Sequence, residues 1–152
     1  MTKKYMTATS HAIIGTIIAA KIGNPALAIP IALASHFAAD LIPHWDAGTN
    51  REKKTYKRLV VESAADVLVG LAISLFLLFF VFAGTSLIYA ALIIFFAQLP
   101  DWLMGPYYFF GVKEFKWAYE IGKSTNRELD KPWGIINQIA ILILLVAAAK
   151  VF

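Results

Sequence analysis

All three histidines of the chain, His11, His36 and His44, stand in or beside apolar stretches, together with Asp40, Asp46, Glu62, Asp66 and Asp101. Ionisable groups in such stretches are costly, on the order of 2.5–3.5 kcal/mol for an Asp at mid-helix on membrane-insertion scales. They persist where they have partners and a task. His36 and Asp40 are four residues apart, which places them one turn apart on one helix face, and Glu62 and Asp66 share that spacing. Imidazole and carboxylate in the absence of any cysteine make a nitrogen/oxygen donor set. Imidazole suits zinc, iron, nickel or copper, and carboxylates extend the range to manganese and magnesium. The expected cofactor is a divalent ion, zinc or manganese first, as one or two ions. His11, His36, Asp40, His44 and Asp66 are the expected ligands. Asp46, Glu62 and Asp101 follow in catalytic roles, as a general base, a further ligand or a carboxylate that orients a ligand's second N–H.

The elements that must position these groups follow from composition. Hydrophobic residues make up 59% of the 152 residues and charged residues 16%, against roughly 45–50% and 25% in soluble domains. A soluble fold of this length could not hide so much apolar surface, so a soluble enzyme, a disordered chain and a disulfide scaffold are poor readings. Runs of about 18 or more apolar residues are transmembrane candidates. Leu59–Phe82, Ser86–Leu103 and Trp133–Phe152 meet that length, and the shorter Thr7–Ile22 and Ala26–Ile42 are expected to span with little tilt or local thinning of the bilayer. The fold class is therefore an all-α membrane protein of about five helices, one integral domain over residues 1–152. Lys21–Pro25 and Ala83–Thr85 are short turns, whereas Pro43–Arg58 and Lys113–Lys131 are long polar connections. The second of these reads mainly as a solvated or interfacial helix. His11 within the first run and Lys21 at its end argue against a cleaved signal peptide.

The charge distribution gives an orientation. Lys3, Lys4, Arg51, Lys53, Lys54, Lys57, Arg58, Lys113, Lys116, Lys123, Arg127 and Lys131 fall on one side of alternating spans, and Lys21 and Lys150 on the other. The positive-inside rule puts the N-terminus and both long loops in the cytoplasm and the C-terminus outside. Topology then explains the net charge of +4, and no nucleic-acid partner is needed. With antiparallel spans every ionisable group named above lies toward the cytoplasmic side. The stripes Thr7-His11-Gly15-Ala19, Ala28-Ala32-His36-Asp40-His44 and Glu62-Asp66-Gly70-Ser74 carry polar residues at that end and small residues deeper. Small residues let membrane helices approach closely, so the three stripes are expected to face one another. Against this, Glu62 has Arg58 at i−4 for a plain helix-start ion pair, and Asn137 and Gln138 suit a role as interhelical glue.

Ser10-His11, the stretch Ser35-His36-Phe37-Ala38-Ala39-Asp40-Leu41-Ile42-Pro43-His44-Trp45-Asp46, Leu99-Pro100-Asp101 with Gly105 and Tyr107, and Gly134 to Gln138 together resemble the small bacterial membrane-bound metal-dependent hydrolases. That group includes the LexA-regulated inner-membrane hydrolases. The resemblance runs over nearly the whole chain, and its His-x-x-x-Asp-x-x-Pro-His-Trp-Asp core is the specific part. Phe115 to Arg127 lacks the histidines that relatives commonly carry after the Pro-Asp segment. The resemblance implies a metal-dependent hydrolase of the bacterial inner membrane.

The expectation is a membrane-embedded hydrolase with its metal site at the cytoplasmic face, acting on a lipid phosphoester. Its partners would be membrane lipid and a lipid-phosphate substrate. Two other classes compete. A cation or proton transporter also places His and carboxylates in its spans, but it needs polar groups continuing to the far side. A non-catalytic membrane scaffold accounts for the hydrophobicity and leaves the one-sided His/carboxylate set without a purpose.

Overall fold

The computed structural model describes residues 8–152; Thr7 and the first two lysines of the topology count, Lys3 and Lys4, lie outside the described residues. Helix α1 spans Ala8–Lys21 and α2 Pro25–Asp40. Gly23 and Asn24 separate them. The Asn24 side chain accepts from the Ala26 N–H, and Pro25 sits in the first turn, where its missing N–H costs nothing. Helix α3 (Tyr56–Phe76) is capped by Thr55 and continued by a π-helical turn, Leu77–Val81. Helix α4 covers Leu87–Phe110, α5 Lys116–Thr125 and α6 Trp133–Val151. The described residues contain no extended strand, only one bridge pairing His44 with Glu128.

Three helical segments are long and apolar enough to cross a membrane: Tyr56–Val81, Leu87–Phe110 and Trp133–Val151. Helix α2 is apolar and shorter. Helix α4 outruns the expected end at Leu103 because Pro100 and Pro106 bend its ladder without ending it. It stops at Gly111, which takes a left-handed φ of 71° and donates its N–H to the Tyr107 carbonyl. The aromatic run from Trp102 to Phe110 is thus helical. The expected helix in the second long connection is α5, whose Ala118 and Tyr119 pack with Leu59, Met104 and Tyr108.

Helix α1 is the centre of the bundle, with α2, α3, α4 and α6 all packed on it. The stripes do not converge three ways as the spacing suggested. Gly70 of α3 faces α1, where a Cβ would lie 2.7 Å from the Thr9 Cα, but Gly15 of α1 faces α4, 2.9 Å from the Ile94 Cα. Helix α2 lays Ala28 and Ala32 in a core with Ile18, Ala90, Ile93 and Ala97, so its partners are α1 and α4 rather than α3. The physical reason is that α4 also carries a small-residue face, Ala90 and Ala97, which admits both α1 and α2. Because α1 lies between them, α3 and α4 scarcely touch despite the short turn that joins them.

These close approaches set a test of the packing. Gly70→Ala inserts a methyl where none fits and should lower stability by about 1–3 kcal/mol. Gly105→Ala, whose Cβ meets nothing within 4 Å, should leave it unchanged or raise it slightly. Thermal unfolding of the detergent-purified variants checks both, and equal melting temperatures would contradict the packing.

Candidate metal centre

His11 comes from the first turns of α1, His36 and Asp40 from the last turns of α2, and Asp101 from α4 just after Pro100. His11 Nε2 lies 3.3 Å from Asp40 Oδ1 and 3.9 Å from Asp101 Oδ2. His36 Nε2 lies 3.6 Å from Asp40 Oδ2 and 3.7 Å from Asp101 Oδ1. The two imidazoles stack, with ring centroids 3.7 Å apart. Both histidines and Asp40 are buried, and Asp101 keeps 20% of its side chain exposed.

The tautomer of His36 is set by its surroundings. Its Nδ1 is 2.8 Å from the Ala97 carbonyl oxygen, which can only accept, so Nδ1 carries the proton. Pro100 supplies no N–H to the Phe96 carbonyl one turn back, and the next carbonyl along, that of Ala97, is the one His36 uses. In the neutral ring Nε2 is then a lone pair directed at two carboxylates. A second mismatch lies beside it: both nitrogens of His11 and Oδ1 of Asp40 are buried with no hydrogen-bond partner. Neutral His11 carries one N–H, yet neither of its nitrogens nor Asp40 Oδ1 is paired, and unpaired buried polar groups are unfavourable; a cation taking the imidazole lone pairs and the carboxylates would relieve this.

The pairwise separations, each carboxylate offering one oxygen to each histidine, are of the size a shared ion needs. Ligand atoms about 2.1 Å from a common tetrahedral ion lie about 3.4 Å apart, close to the 3.3–3.9 Å found here. His11, His36 and Asp101 form a group that could hold a metal ion, with one ligand atom from each all within 4.8 Å of one another. Asp40 touches the same two histidines.

His44 and Asp46 form a neighbouring pair outside the helices. His44 Nδ1 faces the Ile42 carbonyl at 2.6 Å, and Nε2 points toward Asp46 Oδ2 at 4.0 Å. Asp46 Oδ1 accepts from the N–H and hydroxyl of Thr49, and Asn126 Nδ2 reaches Oδ2 at 3.5 Å. Burial works against the charged form of His44, but Asp46, the Ile42 carbonyl and Asp40 outweigh it and raise its pKa. The backbone around this pair is clamped. His44 N–H donates to the Arg127 carbonyl, Leu129 N–H to the His44 carbonyl, and Arg127 N–H to the Asp40 carbonyl. Trp45 lies under the Lys131 ammonium at 3.8 Å, and Gly134 leaves room for the Trp45 backbone and the Leu129 carbonyl. The glue expected from α6 is present: Asn137 donates to the Pro43 carbonyl and Gln138 to the Ser10 hydroxyl.

Two expected site residues stand apart from the cluster. Asp66 accepts from the backbone N–H groups of Ala8 and Thr9 and from the Thr9 hydroxyl, at 2.6, 3.3 and 2.6 Å. It thereby ties the first described turn of α1 to α3. Glu62 pairs with Lys54 at 2.6 Å and Arg58 at 2.8 Å, the helix-start arrangement. Asn126 and Thr49, which hold Asp46, carry no sequence signal that separates them from ordinary loop residues.

Metal content separates these roles. His11→Ala and His36→Ala should each weaken zinc binding by more than the roughly 10–100-fold typical of losing an outer-shell partner. Asp66→Ala should retain the metal and lower the melting temperature, because the N–H groups of Ala8 and Thr9 lose that acceptor, at about 1–3 kcal/mol. Elemental analysis and thermal unfolding of the purified variants read both. Loss of metal in Asp66→Ala with retention in His36→Ala would reverse the assignment.

In comparisons with known proteins, no family model, no curated protein and no solved structure matches the chain. The site is therefore read from its own geometry.

Proposed function

We propose that the protein is a metal-dependent hydrolase of the bacterial inner membrane, acting on a lipid phosphoester from the cytoplasmic face. One observation carries the reading: His36 turns a bare Nε2 toward Asp40 and Asp101 while the buried nitrogens of His11 have no hydrogen-bond partner. The proposed topology is five spans, with α1 and α2 as the shorter pair, the N-terminus inside and the C-terminus outside. It is supported by the Lys/Arg asymmetry and by three helices of membrane-crossing length. The resemblance to membrane-bound metal-dependent hydrolases, carried by the motif from His36 to Asp46, points the same way.

His11, His36, Asp40 and Asp101 would hold one divalent ion, zinc before manganese because two imidazoles favour the softer metal. Bound there, the ion supplies Lewis acidity, polarising a phosphoryl oxygen and lowering the pKa of a water toward about 7. The chain's own contribution is positional and protonic. The Ala97 carbonyl fixes the His36 ring. His44, with Nε2 4.0 Å from Asp46 Oδ2, would be the group that donates a proton to a departing alkoxide oxygen. Thr49 at Oδ1 and Asn126 at Oδ2 hold the Asp46 carboxylate in place beside His44.

A transporter would need ligands beyond the cluster. Past His36 and toward the other end of α2, α1, α2 and α4 pack through Ile18, Ala28, Ala32, Ala90 and Ile93. These residues offer a moving ion nothing, and desolvating a charge there is costly. A site approached from one end supports hydrolysis.

The purified protein with zinc or manganese should release phosphate or a phosphorylated headgroup from lipid vesicles. Asp101→Asn should lower the rate on the order of a hundredfold or more, the cost of removing one group aimed at the reacting centre. Activity undiminished by chelation would exclude the metal-dependent reaction. Proton or divalent-cation flux in proteoliposomes, lost in Asp101→Asn, would establish the transporter instead.

A further inference from the structure

A cavity of about 720 Å³ opens between α3 and α4, within the roughly 300–1,000 Å³ of ordinary ligand sites. It exists because α1 wedges those helices apart. Asp46, Asp66, Gln98 and Asp101 contribute to its lining, and most of the rest is apolar, with Val60, Ala64, Trp102 and Phe109 among its walls. Gly105 lines it too, and a Cβ there meets only open space. Both walls belong to helices of membrane-crossing length. Among its walls Leu68 is 66% and Phe110 75% exposed, so the cavity is open to the medium beside these helices, which along a membrane-crossing segment is hydrocarbon.

Behind Tyr108 and Phe109, which line both, lies a second cavity of about 660 Å³ with Arg51, Lys113 and Lys116 around it. Arg51 is planted there, its guanidinium 4.1 Å over the Tyr108 ring and donating to the Tyr108 carbonyl. A tail groove and a basic pocket thus adjoin one carboxylate-and-histidine cluster, a complementary pattern for an amphiphile with an anionic head.

We infer that the α3/α4 groove takes one acyl chain of an anionic phospholipid entering sideways from the bilayer, with its headgroup toward Arg51, Lys113 and Lys116. This names the substrate class of the proposed hydrolase and rests on that reading for its purpose. The binding itself is independent of turnover. The lipid's phosphoester linkage would come to rest by Asp101, and the groove's missing side chain at Gly105 leaves room for the chain.

The test uses proteoliposomes of the full chain doped with phosphatidylglycerol bearing a diazirine on one acyl chain, with mass-spectrometric mapping after irradiation. Labels should concentrate on groove peptides containing Ala64 and Trp102 and exceed those on the outward face of α6 around Ile143 and Leu144. Gly105→Leu, whose Cβ meets nothing within 4 Å, should cut groove labelling on the order of tenfold while α6 labelling and metal content stay unchanged. Ala64→Leu from the opposite wall should act alike, which guards against a folding defect in either variant. His36→Ala should lose metal and keep the labelling, so failure of the metal reading and failure of the groove reading are told apart. A phosphatidylcholine probe should label the groove less than phosphatidylglycerol does. Labels spread evenly over α3, α4 and α6, or groove labelling indifferent to Gly105→Leu, would overturn the acyl-chain site. Equal labelling by the two headgroups would overturn the role of the basic pocket.

Discussion

Two backbone carbonyls decide what the histidines of this protein can do. The Ala97 carbonyl fixes the proton of His36 on Nδ1, and the Ile42 carbonyl does the same for His44. Each leaves Nε2 turned toward carboxylate, and the two outcomes differ. His36 Nε2 sits between Asp40 and Asp101 with His11 stacked against its ring, which gives a crowd of acceptors suited to a cation. His44 faces Asp46, near Asp40, and retains a proton more readily than an ordinary imidazole. A metal-holding set and a proton-holding pair therefore lie side by side, divided by which partner each ring meets rather than by residue type.

That division depends on α1. The helix brings His11 to the ends of α2 and α4, and it can do so because Gly15 and Gly70 remove side chains where α4 and α3 press against it. The N–H groups of Ala8 and Thr9 are tied to Asp66 of α3, and the Ala8 carbonyl accepts from Gln98 of α4. Asp66 thus serves the site by holding the helix that carries His11. The same wedge holds α3 and α4 apart and opens the groove beside Asp101, so the position of one short helix sets both the metal cluster and its access from the bilayer.

Much of this arrangement was legible in the chain. The four-residue spacing of His36 and Asp40, the polar residues gathered at one end of each apolar run, and Asp101 after Pro100 led to a cluster at a single end of the bundle. Four of the named residues, His11, His36, Asp40 and Asp101, do meet there. What spacing could not supply was the choice of helix neighbours. Asp66 lies on the same stripe as Gly70, and that stripe faces α1 near its start, so its carboxylate reaches backbone N–H groups before it reaches a histidine. The same periodicity fits either outcome. Backbone contacts leave even less trace: the carbonyls of Ile42 and Ala97 that orient His44 and His36 have no signature in residue type. Glu62 illustrates the opposite case, since Arg58 at i−4 already indicated the ion pair it makes.

Zinc K-edge X-ray absorption of the loaded protein tests the central claim most directly, because imidazole gives outer-shell scattering that carboxylate and water do not. Zinc held by His11, His36, Asp40 and Asp101 predicts two imidazoles and an otherwise oxygen shell, with one imidazole lost in His36→Ala and neither lost in His44→Ala. An all-oxygen shell, or an imidazole count that falls in His44→Ala and stays constant in His36→Ala, would contradict it.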